Sequence, residues 1–302
     1  MSRTFRLKHE VVLHELKDFQ QIDVWVPIPS SNEAQAVEIV ANSLPVGSFQ
    51  KTREHKFGNS MLYFTVDPAV ENFKFCIVYE VRRKEWRTHF DAGDLPTKAR
   101  QLSAESRQLF LQANRLVPIQ GKPLALLPSM GSSTTTLQRA RALYNRVESH
   151  VAYDKSKPGY GHGDVNWVCD SRTGNCTDFH SLFISLARSQ EIPARFEIGF
   201  PLPPERGVGT IAGYHCWAWF FDQQFGWTPV DISEADKHPE LKEYYFGNLT
   251  ENRVGFSVGR DLVLEPPQAG PELNYFVSPY VEADKNPLDQ DRISSVYEYE
   301  DL

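Results

Sequence analysis

GNCTDFHSLFISLARS, residues 174–189, places an asparagine and then a cysteine directly in front of an amphipathic run. Phe179, Leu182, Phe183, Leu186 and Ala187 recur at three- and four-residue intervals, the period of one helix face. Asn175 is a good N-cap, and Ile192-Pro193 closes the helix. Cys176 therefore falls on the first turn, where unpaired backbone N–H groups and the macrodipole stabilise a thiolate. On the helical wheel it lies about 60° from the centre of the apolar stripe, so its thiol is expected half facing the core. Two readings follow: a nucleophile, or the small buried hydrophobe that most free cysteines are.

Downstream, YHCWAWFF, DQQFG and WTPVD (214–231) read as two strands rich in aromatic and β-branched residues joined by a short turn. With a loop of three to five residues, Asp231 falls opposite His215 or two residues from it on the same face, because side chains alternate with period two. A carboxylate bonded to one ring nitrogen of an imidazole fixes the other, which can then take a proton from a thiol. Taken singly, His215 reads as a core histidine and Asp231 as the cap of the next turn. Together with a cysteine at a helix start they make a candidate triad in the order Cys, His, Asp.

These blocks, GNCTDFHSLFISLARSQEIPARFEIGF, GYHCWAWFF and GWTPVDIS, resemble the transglutaminase-like superfamily of papain-type thiol enzymes, and in particular its bacterial transglutaminase-like domain proteins. The resemblance covers roughly residues 135 to 265. It implies Cys176 as nucleophile, His215 as base and Asp231 as the residue that orients the base. It also implies an α+β fold, with the nucleophile at a helix N-terminus packed on an antiparallel sheet. The chemistry implied is attack on an amide through a thioester. Hydrolysis by a peptidase, amidase or deamidase is the favoured outcome, because no calcium-loop pattern such as D-x-D-x-D-G accompanies the triad. The alternatives are a protein-glutamine crosslinker and a catalytically retired fold used for protein interaction.

Net charge −7 and a pI near 5.7 leave no basic surplus to neutralise phosphates, which argues against a nucleic-acid or anionic-membrane partner. No apolar run approaches the ~18 residues that span a bilayer. MSRTFRLKHEVVLH lacks the apolar core of a secretory signal, so the sequence as it stands reads as cytoplasmic; a chain whose signal had been removed, periplasmic or secreted, would read the same. The expected partner is a peptide or protein amide substrate, with no cofactor and no metal. Four cysteines, Cys76, Cys169, Cys176 and Cys216, are far from a disulfide scaffold, although a Cys169–Cys216 bridge flanking the site is conceivable. Cys169, Cys176, His180, His215 and Cys216 could in number hold zinc. Adjacent His215 and Cys216 on a strand are expected to face apart, which disfavours one tetrahedral ion.

The first 90 residues read as short alternating or β-branched runs, TFRLKHEVVLH, QIDVWVPIP, NSMLYFTV and NFKFCIVYEVRR, which predict an antiparallel, sandwich-like β-rich domain. A helical pattern runs from Thr97 to Ala113, and VPIQGKPLALLPSMGSS reads as a linker. The expected organisation is 1–120 as a β-rich domain with a trailing helix, 121–134 as linker, and 135–302 as the catalytic domain. A second helix is expected from Thr136 to about His150, burying Leu137, Ala140, Leu143, Tyr144 and Val147. Its arginines, Arg139, Arg141 and Arg146, read as a solvated face.

YDKSKPGYGHGDVNWVCDSRTGN (153–175) reads as a glycine-bearing polar loop leading to Cys176. Related transglutaminases supply an oxyanion donor from an aromatic residue in this region, which makes Tyr160 and Trp167 the oxyanion or substrate candidates beside the Cys176 N–H. The alternative for each ring is simple packing. His180, four residues after Cys176, is a rival base on nearly the same helix face. Arg195 reads as architectural, GTIAGYH as a mobile lip, Asn252 and Arg253 as candidates to hold Asp231 or the chain end, and 284–302 as a partly disordered tail or an edge strand.

Overall fold

Every second residue of the strand Ser2–Leu13, from Arg3 through Phe5, Leu7, His9 and Val11 to Leu13, is buried, the signature of one face turned to a core. In the computed structural model, which describes residues 1–44, 47–90, 99–129, 131 and 133–302, this strand lies in a five-stranded sheet. The order is Val208–Ile211, Ile293–Asp301, Ser2–Leu13, Phe73–Lys84 and Gln35–Asn42, antiparallel throughout. A second antiparallel sheet runs Asn286–Pro287, Tyr280–Ala283, Ile22–Pro27, Ser60–Val66 and Phe49–Arg53. Phe64 of the second sheet meets Phe75 of the first edge to face at 5.3 Å, so the two inner faces share a core. The expected sandwich-like architecture is present.

Its membership differs from the expected linear division. The compact unit that contains the sandwich comprises Met1–Glu85, Ile198–Tyr214 and Thr250–Leu302, and the other comprises Trp86–Glu197 and His215–Leu249. The described residues of 121–134, expected as an interdomain linker, lie inside the second unit. There Lys122–Leu126 forms a 3-10 turn with Pro123 buried, and the Pro118 carbonyl accepts a hydrogen bond from Ser185. Proline and glycine mark a change of direction equally well in a linker and in a packed connection, and composition does not separate the two. The tail is also corrected: Ile293–Asp301 sits between two strands of the first sheet, neither disordered nor at an edge. Arg3 fixes it, with its guanidinium donating to both Asp301 carboxylate oxygens at 2.7 Å and to Asn252 Oδ1 at 2.9 Å, so Asn252 does help hold the chain end. Gly209–Ile211 of GTIAGYH lie in the edge strand Val208–Ile211.

Among the described residues the second unit holds five α-helices: α1 Ala104–Leu111, α2 Thr136–His150, α3 Val165–Ser171, α4 Cys176–Ser189 and α5 Ile232–Lys237. The expected start of the first helical pattern, Thr97, lies outside the described residues, and Ser103 caps α1 seven residues later than the start of an unbroken 97–113 helix would require. α2 has its expected limits, set by a Thr135/Gln138 capping box, and buries Ala140, Leu143, Tyr144 and Val147 while Leu137 stays half-buried. Of its arginines only Arg146 is fully at the surface. Arg141 lies 4.0 Å from the Phe246 ring centre, and Arg139 donates to the Gln190 carbonyl.

α4 is the axis of this unit, with every residue from Cys176 to Arg188 buried. Its apolar stripe was legible; the burial of its other face follows from α2, α3 and the 3-10 turn packing around it. Arg188 near its end is a buried cation satisfied by the carbonyls of Gln112 and Ala194 and by Asn114 Oδ1. The expected hairpin forms between His215–Asp222 and Gly226–Val230 through Gln223, Gln224 and Phe225, beside the start of the strand that begins at Ala194. Phe183 of α4 meets Phe220 of the hairpin at 6.3 Å. Arg195 is held between Trp219 and Trp227, 5.1 and 4.4 Å from their ring centres, an architectural place as expected.

Candidate active site

The hairpin register pairs Ala218 with Val230, so the next residue, Asp231, comes opposite Trp217 and two residues from His215 on the same face. The consequence is a direct bond: His215 Nε2 lies 2.8 Å from Asp231 Oδ2, both groups buried. Asp231 Oδ1 meanwhile accepts from the Glu234 N–H and caps α5, so the capping reading and the pairing reading of this residue hold together. Nε2 being engaged, Nδ1 is the ring nitrogen left for the thiol, and Cys176 and His215 are hydrogen-bonded.

Cys176 is the first residue of α4, capped by Asn175, whose side chain accepts the Thr177 N–H at 2.8 Å. It is only 2 % exposed, more deeply set than its place on the helical wheel suggested. Burial pushes its thiol up, yet hydrogen bonds from Cys216 and His215 and the positive charge of His215 hold it well below the ordinary thiol value. His215 moves the other way. Burial would lower it, but the charge and hydrogen bond of Asp231, joined by Cys176, push it up to about 10. Both shifts act in the direction of a thiolate beside an imidazolium.

Cys216 also reaches the start of α4, with its Sγ 3.8 Å from Thr177 Oγ1 and 3.7 Å from His180 Nδ1. The expectation that His215 and Cys216 face apart is corrected. Both side chains reach the Cys176 thiol at the start of α4. Burial and the bond to Cys176 keep the Cys216 thiol well above its ordinary value, so it remains the S–H donor of the pair. All four cysteines are free thiols, and the conceivable Cys169–Cys216 bridge does not form because Cys216 is turned to α4.

His180 takes a structural position. Its Nδ1 lies 2.7 Å from the Cys176 carbonyl and its Nε2 accepts the Ile232 N–H at 3.0 Å, which sets a neutral tautomer with both nitrogens used. Burial lowers its pKa to about 4, consistent with that neutral form. The rival base is therefore a tie between the start of α4 and the start of α5.

Residues 125–232 match the model of the Transglutaminase-like superfamily. They form a transglutaminase-like core. An uncharacterized protein of Haemophilus influenzae is 28% identical over 305 residues, an alignment covering 89% of this chain and 82% of that one. The crystal structure of a candidate cysteine protease from Cytophaga hutchinsonii superposes with a TM-score of 0.61 at 16% identity, covering 100% of this chain and 91% of its own, and so shares the fold.

Within the transglutaminase-like core, the segment before Cys176 is more ordered than a polar loop, because Val165–Ser171 is helical with Asp164 accepting the N–H groups of Asn166 and Trp167. Trp167 lies half-buried on this helix with its ring against Gly159, and Tyr160 is 40% exposed. The residue that organises the segment is Asp178. Its carboxylate accepts the N–H groups of Gly161, Gly163 and Asn175 at 2.7, 2.9 and 2.8 Å, tying the loop to the first turn of α4. The spacing Asn175-x-x-Asp178, a capping box, was the available signal. Gly174 is required beside it, since a Cβ there would lie 2.4 Å from Asp178. Asp178→Ala is expected to leave these buried donors unsatisfied and to lower stability by about 3 kcal/mol, measured by urea unfolding. A loss below about 1 kcal/mol would remove Asp178 from this role.

Proposed function

We propose that the protein is a thiol-dependent amide hydrolase acting on a peptide or protein substrate. The observation that carries the reading is the buried 2.8 Å bond from His215 to Asp231, with the Cys176 thiol on the same imidazole. The Cys176 thiolate attacks the amide carbonyl carbon to form a C–S bond, and the carbonyl electrons move onto oxygen. The first-turn N–H of Cys176 is the natural donor to that oxyanion, and Tyr160 or Trp167 is the candidate second group. Collapse of the tetrahedral species breaks the C–N bond, and His215 gives its proton to the departing amine. Water then attacks the thioester, His215 takes its proton, and the acid leaves as the thiolate is restored. Asp231 holds the imidazole in the orientation both proton transfers need.

The same thioester can pass its acyl group to an amine, so the acceptor distinguishes a hydrolase from a crosslinker. Incubating the protein with a mixture of glutamine- and asparagine-containing peptides and a primary amine, followed by mass spectrometry, separates the outcomes. Free acids that disappear in Cys176→Ala are the expected products. Accumulation of the amine adduct in their place contradicts the hydrolase reading.

A further inference from the structure

Away from Cys176, at the other end of α4, the second unit has a cavity of about 440 Å³ whose wall carries three guanidinium groups from three separate segments: Arg100 before α1, Arg107 on α1 and Arg139 on α2. In a chain of net charge −7 this is a local reversal of sign. Structural bonds use only part of the donor capacity. Among the described residues Arg100 gives one N–H to the Phe225 carbonyl, Arg107 a long 3.5 Å bond to the Glu191 carbonyl, and Arg139 one N–H to the Gln190 carbonyl and a long 3.5 Å bond to Thr136 Oγ1. A guanidinium carries five N–H groups in a rigid fork. Arg139 Nε, moreover, is buried with no hydrogen-bond partner among the described residues, a state that costs free energy unless a ligand relieves it.

Among the described residues the one acid on the wall, Glu191, does not balance the three. Its contact with Arg107 is long, 3.6 Å, and its side chain is 81% exposed, so the pair is weak and screened. Three cations against one anion leave two positive charges. The remainder of the wall includes apolar surface from Leu102, Pro193 and Phe221. The volume falls in the range of small-molecule sites, larger than a free inorganic oxyanion fills.

We infer that this cavity binds a small organic phosphate, with the phosphoryl oxygens on Arg100, Arg107 and Arg139 and the organic part on Leu102 and Phe221. A phosphoryl dianion matches the surplus of two charges, and its oxygens suit converging guanidinium forks in a way that a single carboxylate does not. The site is separate from the thiol chemistry and holds whether or not that reading stands.

Phenyl phosphate is the probe, titrated calorimetrically into the full chain at fixed ionic strength, with inorganic phosphate and benzoate as comparisons. Saturable one-site binding of phenyl phosphate is expected, with inorganic phosphate and benzoate each about tenfold weaker. Arg107→Gln and Arg100→Gln should each weaken it by about tenfold, since a charged hydrogen bond is lost in each. Glu191→Gln, at an exposed position where folding is not at stake, should strengthen it severalfold, and Cys176→Ala should leave it unchanged. No saturable heat from phenyl phosphate, benzoate binding as tightly, inorganic phosphate binding as tightly, or an affinity indifferent to both Arg100→Gln and Glu191→Gln would overturn the assignment.

Discussion

Asp231→Asn is expected to turn the Cys176 thiolate back into a thiol near neutral pH. Asp231 is the main influence that raises His215 to about 10, and the charged imidazolium is in turn one of the groups that hold the Cys176 thiol low. An amide in place of the carboxylate keeps the shape and removes the charge, so the ring reverts toward an ordinary histidine and the thiol toward about 8.5. At about pH 6 the thiolate fraction of Cys176 should fall by about a hundredfold or more. Ultraviolet thiolate absorbance, taken as the difference from Cys176→Ala, reads it directly. Wild type should hold its signal across the neutral range, while Asp231→Asn should gain it only on the alkaline side. Equal profiles in the two proteins would mean that Asp231 has no electrostatic hold on the thiol. Because Asp231 also caps α5, its amide variant is preferable to alanine; asparagine is itself a good N-cap.

The second large effect is on acid stability. Burial holds His180 to about 4 and His9 to about 3, both below the 6.5 of an unfolded chain. Above about pH 6.5 both states keep these rings neutral. Below it, the unfolded chain takes up protons that the fold refuses. Their contribution is therefore complete above 6.5 and is lost as pH falls toward the folded values, on the order of 3 kcal/mol for His180. The lowered Cys176 thiol adds to the same acid loss, because the unfolded thiol is protonated where the folded one is not. Between 6.5 and 9 the raised His215 works in the opposite sense, the fold keeping a proton that the unfolded chain releases, and the two largely cancel. Urea unfolding should thus show a flat neutral range and a steep acid flank. The flank should be shallower in His9→Gln. A midpoint unchanged from about pH 7 to about pH 4.5 would contradict the burial of these neutral histidines.

The features legible in the sequence were those with local or periodic causes. Asn175 before Cys176 fixed where α4 begins, and period-two alternation with a short turn brought Asp231 within one pair step of His215. The positions that were not legible depend on what arrives from elsewhere in the chain. His180 looked like a second base because helical spacing placed it near the thiol; only the Ile232 N–H, 52 residues away, shows its second nitrogen to be occupied. Asp178 hides in a capping box and acts at longer range on Gly161 and Gly163. Cys216 was expected to face away from His215, yet its Sγ reaches Thr177 and His180 on α4, a helix that arrives from elsewhere in the chain. The tail 284–302 carries the acidic composition of a solvated segment, yet Arg3, at the opposite end of the chain, brings Asp301 into a sheet.

The central claim is that Cys176 is a thiolate held ready for acyl chemistry, and covalent capture tests it most directly. The protein is exposed at about pH 6 to glutamine- and peptide-derived electrophiles, and the adduct is located by peptide mass spectrometry. The account predicts a single adduct on Cys176, formed faster than on a model thiol at the same pH and absent from Cys176→Ala. Labelling that survives that substitution, or a Cys176 no faster than the model thiol, would contradict it.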